Sequence, residues 1–500
     1  MFTDDLFRAR LDTMSDLRHP LAVLAERMPW TQIEAALAPA LAHRDRQGNV
    51  IEGADLFGPT VQLAGAGVSP RGRKRLPIRL MVCLLYLKHA FNLSDEELVQ
   101  RWSENVQWQF FGGMVHYEPR PPCDATQIGR FRKLIGEAGV EEILKATIDT
   151  AVTTKAVRPC EFERVIVDTT VQEKAIAHPV DSRLLEIARA KLVQAARRCG
   201  IALKQTFAKE GKELRRKAGG YAHAKQFKRL RRTVKRQRTL LGIVMREIGR
   251  KLGTACSESP LSRQRLAILL ERAERIRVQQ PKDKGRLYAL HAPEVECIGK
   301  GKARKPYEFG VKASIAVTHR SGLMVGARTF PGNPYDGHIL SAQLEQTGIL
   351  LQDTGKAPTQ VVVDLGFRGV DQDNPGMRII HRGKYKSLTS VQRRWLKRRQ
   401  AVEPAIVHLK SDHRMDRCWL HGQLGDALHA VLCAAGYNLR WLMRAMLRLG
   451  LRAFSLRLWV SAVWLLQAVR WRFEAVPSST APSGAAQQRV GLGPRWAVVG

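Results

Sequence analysis

A chain of 500 residues exceeds what one ordinary compact core serves, so two or three domains are expected, and its 44% hydrophobic content argues against a disordered protein. With 82 Lys and Arg against 46 Asp and Glu the net charge is +36, a self-repelling excess that calls for a polyanionic partner, nucleic acid before an anionic membrane. Eight cysteines with no C-x-x-C pair argue against a zinc finger or a disulfide framework and predict free thiols in a reducing cytosol.

The chain opens Met-Phe-Thr-Asp-Asp, without the apolar core of a secretory signal, which predicts a cytoplasmic, nucleoid-associated protein. Residues 1–70 alternate short amphipathic pieces with Gly- and Pro-containing loops. A basic run follows, in which Arg73 and Lys74 are candidate DNA contacts. An apolar helix is predicted over about 78–91, then a turn, then a capping box in which Ser94 precedes Glu97 by three residues and opens a second helix through Trp102. A third helix, from Ala125 to about Leu134, bears Arg130, Arg132 and Lys133. Helix-turn-helix DNA reading and an ordinary helical bundle both fit this pattern. We assign residues 1–150 to an all-α N-terminal domain with DNA-end binding as its expected role.

From 163 the texture changes. Arg164-Val-Ile-Val-Asp168 reads as a strand buried on both faces, and similar runs recur at 308–318, 323–330, 359–364 and 377–382, with helical patterns at about 337–352 and from 391 onward. This is an α/β domain over 160–425. A long helical insertion, 180–300, separates its first two strands. Residues 183–251 carry 22 Lys and Arg against 4 Glu, half the excess charge of the protein. Phe227, Val234, Leu241 and Ile248 recur every seven residues, with Leu230 and Val244 between them, which predicts a helical hairpin or coiled-coil seam. The basic outer faces suit phosphate contacts, and Arg231, Arg232, Lys235 and Arg236 are the candidates. C-terminal helices are expected over 426–472. The apolar stretch at 453–472 contains Arg457 and Arg470, so it is a poor membrane span. A flexible tail is expected over 473–500.

Asp168 and Asp364 each end an apolar strand run. A carboxylate beside such a run is unfavourable unless a cation or hydrogen bonds stabilise it. Two of them on neighbouring strands can converge on a pair of Mg²⁺ ions about 4 Å apart, the arrangement that serves phosphoryl transfer. Either Asp alone, after a Val-rich strand, is more often only a turn former or a helix cap. The third acid is sought in the later helical region. Arg399 and Lys410 lie four residues before and seven after Glu403, within roughly 40° on one helix face. Pro404 requires that the helix either begin near Glu403 or kink there. Asp336, in an Asn-Pro-Tyr-Asp-Gly turn, and Asp181, before Ser182, are rival acids that turn chemistry and capping explain.

Several ordered blocks resemble a known family. Pro77-Ile-Arg-Leu-Met81, Leu93-Ser-Asp-Glu-Glu97 and Gln107-Trp-Gln-Phe-Phe-Gly112 are similar to the N-terminal domain of bacterial DDE-type insertion-sequence transposases of the insertion-sequence-five group. Val167-Asp168-Thr-Thr-Val-Gln-Glu-Lys174 with His178-Pro-Val-Asp-Ser-Arg183 resembles the block of the first acid. Gly332-Asn-Pro-Tyr-Asp-Gly-His338 and Val363-Asp364-Leu-Gly-Phe-Arg-Gly369 resemble the second. Glu403-Pro404 through Lys410, Asp412-His-Arg-Met415 and Gly436-Tyr-Asn438 resemble the third. The resemblance covers about 75–445.

It implies an RNase H-like catalytic domain, with Asp168, Asp364 and Glu403 as ligands of two Mg²⁺ ions (Mn²⁺ able to substitute). It also implies double-stranded DNA as transposon ends and target, and a dimer in the synaptic complex. Arg399 and Lys410 match the cations of the family's tyrosine–arginine–glutamate–lysine signature. Leu396 stands at its tyrosine and Phe367 where a tyrosine is usual. A catalytically inert DNA-binding protein and a structure-selective RNase H-like nuclease are the alternatives.

Overall fold

The computed structural model of the protein describes residues 9–42, 76–252, 260–299, 301 and 305–474, and side chains as far as 450. Arg73 and Lys74 lie outside the described residues, as does the expected tail from 475. The chain forms two compact units, Met1–Met446 and Leu447–Gly500. Of the second, the helical backbone up to residue 474 is described.

Short helices α1 (Leu11–Met14), α2 (Pro20–Arg27) and α3 (Trp30–Leu37) precede α4 (Ile78–Ala90), α5 (Asp95–Glu104), α6 (Val106–Phe111) and α7 (Ala125–Thr153). The apolar run predicted as a helix is α4, and from Leu80 to Ala90 every residue of it is buried, including Lys88 and His89. The capping box forms: Glu97 N–H donates to Ser94 Oγ, and Ser94 N–H to Glu97 Oε2, both at 3.1 Å. The third helix continues beyond Leu134 to Thr153 and is broken at Gly136, whose φ of 64° and ψ of −164° lie outside helical space. Arg132 is not on a DNA-facing side: it is buried and shares the Asp95 carboxylate with Lys88, at 2.9 and 2.7 Å.

The expected strands occur as β1 (Arg164–Glu173), β3 (Tyr307–Thr318), β4 (Met324–Phe330), β5 (Gln360–Val362) and β6 (Arg378–Ile380). A further strand, β2 (Glu296–Gly299), lies in what the sequence presents as the end of the helical insertion; at four residues it is too short for a periodicity. β3 runs antiparallel to β1, and β4 antiparallel to β3, while β5 and β6 run parallel to β1, giving the order β4–β3–β1–β5–β6 with β2 also on β3. Val165, Ile166 and Val167 of β1 are fully buried, each worth about 1.5–3 kcal/mol against exposure. α7 and α12 (Leu340–Leu351) pack on β4. Asn438 ties three elements together: its Oδ1 accepts from Met324 N–H, and its Nδ2 donates to Met324 O and to Thr147 Oγ1.

The insertion is a bundle of four helices rather than a hairpin: α8 (Asp181–Arg198), α9 (Ala208–His223), α10 (Phe227–Leu252) and α11 (Pro260–Val278). Leu185, Leu192, Leu241, Val244, Ile248, Leu266 and Ile276 form its own core. The heptad seam of α10 is buried from Leu241 to Ile248 but not at its start, where Phe227 is 54% exposed. The C-terminal region is one continuous helix, α15 (Gly422–Glu474), rather than several. Among the described residues no helix is long and apolar enough to cross a membrane, and none of the described cysteines forms a disulfide.

Candidate active site

β1 does not end at Asp168; it continues five residues to Glu173 along β3. What ends is its other edge. β5 pairs with β1 only as far as Ile166 and Val362, so Asp168 and Asp364, each two residues further, stand side by side where the two parallel strands part. Asp364 precedes the 3₁₀ turn Leu365–Phe367 but its side chain makes no capping hydrogen bond. The turn-former explanation therefore leaves its carboxylate unused, 54% exposed. Asp168 is the less exposed of the two, at 18%, and its Oδ1 accepts from Thr169 N–H at 2.8 Å.

The segment carrying the third acid is held against this opening. α13 (Ser390–Arg398) starts with a capping box between Thr389 and Gln392. It docks through Trp395, whose ring lies 3.3 Å from the Arg164 guanidinium, and whose carbonyl accepts from His319 Nε2 at 3.3 Å. Burial pushes His319 down to about 4, so at neutral pH its imidazole is uncharged. Arg398 donates to the carbonyls of His319 and Arg320. Leu396 is partly buried against the core.

A 3₁₀ turn, Arg399–Ala401, then leads into α14 (Val402–Ser411). Of the two geometries open for Pro404, the helix takes the first: it begins at Val402, so Pro404 falls in the first turn, where no intrahelical N–H is needed. Arg399 and Glu403 consequently do not share one straight helix face.

Arg399 sits at the centre of the three acids. Its Nη1 is 3.1 Å from Asp168 Oδ2, and its Nη2 is 3.8 Å from Asp364 Oδ1 and 3.9 Å from Glu403 Oε1. The guanidinium is only 17% exposed, whereas Glu403 is 65% exposed. Three acids from β1, the end of β5 and α14 thus converge on one half-buried cation. Lys410 is not part of this group. Two turns further along α14, it pairs with Glu308 at 3.0 Å and Glu173 at 3.8 Å, and Lys305 reaches Glu173 at 2.6 Å. Arg399 and Lys410, the two cations placed beside Glu403 by the spacing, are thus engaged by different sets of carboxylates.

The rival acids are engaged elsewhere. Asp336 pairs with Lys312 at 2.8 Å, and Asp181 with Arg286 at 2.6 Å in the helical bundle. Of the basic candidates on α10, Arg231, Arg232 and Lys235 are exposed, while Arg236 pairs with Glu210 at 2.7 Å. Arg231 and Lys235, with Arg183, Arg215, Arg238 and Arg286, line a cavity of about 1050 Å³ in which Asp181 is the one acidic lining residue. The spacing of α10 marks it as basic, but only the fold brings the arginines of α8 and α9 to the same hollow.

Residues 49–134 match the family described as Transposase domain (DUF772), and residues 273–439 match the family described as Transposase DDE domain. The second match contains Asp364, Arg399, Glu403 and Lys410 and begins after Asp168, which stands on the geometry alone. An uncharacterized protein of Rhizobium meliloti, ORF8 in the nfe locus, is 42% identical over 224 residues, which make up 45% of this chain and 95% of the relative. No solved structure matches the chain.

Proposed function

Because the chain belongs to the DDE transposases, we propose that it mobilises an insertion sequence: it binds the terminal inverted repeats, hydrolyses the end phosphodiesters and joins the freed 3′-hydroxyls to target DNA. The observation that carries the reading is the meeting of Asp168, Asp364 and Glu403 on Arg399. The strand order β4–β3–β1–β5–β6, with β3 alone reversed between β1 and β4, supports an RNase H-like catalytic domain.

The donor set fits a hard divalent cation, because all three residues offer carboxylate oxygen and two of them face solvent. When bound, a pair of Mg²⁺ ions (or Mn²⁺ in their place) supplies activation of the attacking oxygen and neutralisation of charge on the leaving one. The chain's own residues set the stage. Thr169 N–H fixes one oxygen of Asp168 and leaves the other facing the site. Arg399 holds the three acids in register against their mutual repulsion, and its charge faces the place where a scissile phosphate must come. The protein acts as a dimer in the synaptic complex, in the nucleoid of the cytoplasm.

Excision and joining in vitro with the element's own ends test the reading. Cleavage and strand transfer are expected in Mg²⁺, with binding but no cleavage in Ca²⁺. Cleavage of any branched duplex without preference for those ends would replace this reading with a structure-selective nuclease.

The helical bundle contributes the electrostatic part of DNA binding. Replacing both Arg231 and Lys235 with Ala is expected to lower the slope of log K against log salt by about 1.8, since each phosphate contact contributes about 0.9. Fluorescence anisotropy over a salt series measures it. An unchanged slope would mean that this face of α10 is merely solvated.

A further inference from the structure

We propose that His89, His429 and Cys433 form a buried zinc site, separate from the carboxylate site, that ties α15 to α4. His429 and Cys433 lie one turn apart on α15, so their side chains share a face. His89 comes from the last turn of α4. All three are buried (His89 1%, His429 4% and Cys433 0% exposed), and a ligating atom of each lies within 4.8 Å of the others.

The His89–Cys433 spacing is that of neighbouring ligands in a coordination shell. His89 Nδ1 is 3.5 Å from Cys433 Sγ and 3.4 Å from the carbonyl oxygen of His413. Bonds of about 2.0–2.1 Å to nitrogen and 2.3 Å to sulfur place neighbouring tetrahedral ligands roughly 3.5 Å apart. Two imidazoles and a thiol make a donor set of the nitrogen and sulfur type that zinc selects, with the fourth position left to a further ligand. One outer contact is of the kind that orients a ligating ring: His429 Nε2 faces the Arg414 carbonyl at 2.8 Å. Gly436 keeps the helices close enough, since a Cβ there would meet the Cβ of His89 at 2.5 Å.

Zinc binding forms the metal–sulfur bond and releases the thiol proton to solvent. The tie would fix the segment 412–421, which joins α14, bearing Glu403, to α15. No C-x-x-C spacing announces such a site, because its ligands lie up to 344 residues apart in sequence.

Metal analysis of the full chain after gel filtration is expected to give about one tightly held zinc per chain. With Co²⁺ in its place, a thiolate-to-metal charge-transfer band should appear, vanish in Cys433→Ser and persist in Glu403→Gln, which alters only the carboxylate site. X-ray absorption of the zinc-loaded wild type covers the case in which Cys433→Ser fails to fold: the expected first shell includes sulfur at about 2.3 Å. A chain that retains no zinc, a charge-transfer band that survives Cys433→Ser, or a first shell of oxygen alone overturns the proposal. None of these outcomes depends on whether the carboxylate site is catalytic.

Discussion

Asp168→Asn is expected to lower metal-dependent cleavage of the element's ends on the order of 10³-fold, the upper range for loss of one preorganised charged group, while DNA affinity holds. The amide keeps the volume and the hydrogen bond from Thr169 N–H, so packing around β1 is preserved. What is lost is the negative charge that lies nearest Arg399. Asp168 is also the least exposed of the three acids, so water is least able to take over its role. Gel-shift and cleavage assays on the same preparation separate the effects. Cleavage within tenfold of wild type removes Asp168 from the proposed site, whereas joint loss of binding and cleavage, with altered circular dichroism, marks a folding defect.

The parts of this site legible in the sequence were those written in single runs. Asp168 and Asp364 stood out because each follows β-branched residues that only a buried strand accommodates. That they are neighbours was not legible, because the register of β1 with β5 joins residues almost two hundred apart. Pro404 obscured Glu403 until the helix start at Val402 gave the proline an ordinary place. The R-x₃-E-x₆-K spacing suggested equivalent cations, yet Arg399 and Lys410 have different carboxylate partners, and those of Lys410 come from β1 and β3. In the bundle, the period of α10 was visible because its apolar and basic faces separate sharply. α9 shows few buried side chains, so no seam announced it as a partner helix. Charge pairs between distant segments have no local signature at all.

Lys174→Met is expected to destabilise the protein by about 3–5 kcal/mol at neutral pH, the usual cost of leaving buried charge without its partner. Lys174 directly follows β1, and its ammonium lies 2.7 Å from Asp426 and 2.8 Å from Glu294. All three side chains are at most 7% exposed, so no water replaces the lost ammonium. Burial alone would lower the Lys174 pKa, but the Asp426 and Glu294 partners raise it above the ordinary lysine value. Asp426 shows the reverse balance: burial raises it, and Lys174 pulls it only part of the way back. With methionine at 174 that pull vanishes, and the two carboxylates face each other. Their folded-state pKa values then rise above the unfolded ones, so the folded protein binds more protons than the unfolded chain. The sign follows: stability of the variant should fall as pH rises through those elevated values and recover towards acid pH, whereas the wild type, in which Asp426 is raised but Glu294 is lowered, should lose less over the same range. Urea midpoints at pH 5 and pH 7 measure it, about two pH units being enough to span a carboxylate displaced in this way. Lys174→Met with Asp426→Leu should regain most of the lost stability at pH 7, because an apolar pair leaves fewer buried charges unmet. A single variant within about 1 kcal/mol of wild type, the range of an exposed pair, would show that β1 is held to α15 by packing alone.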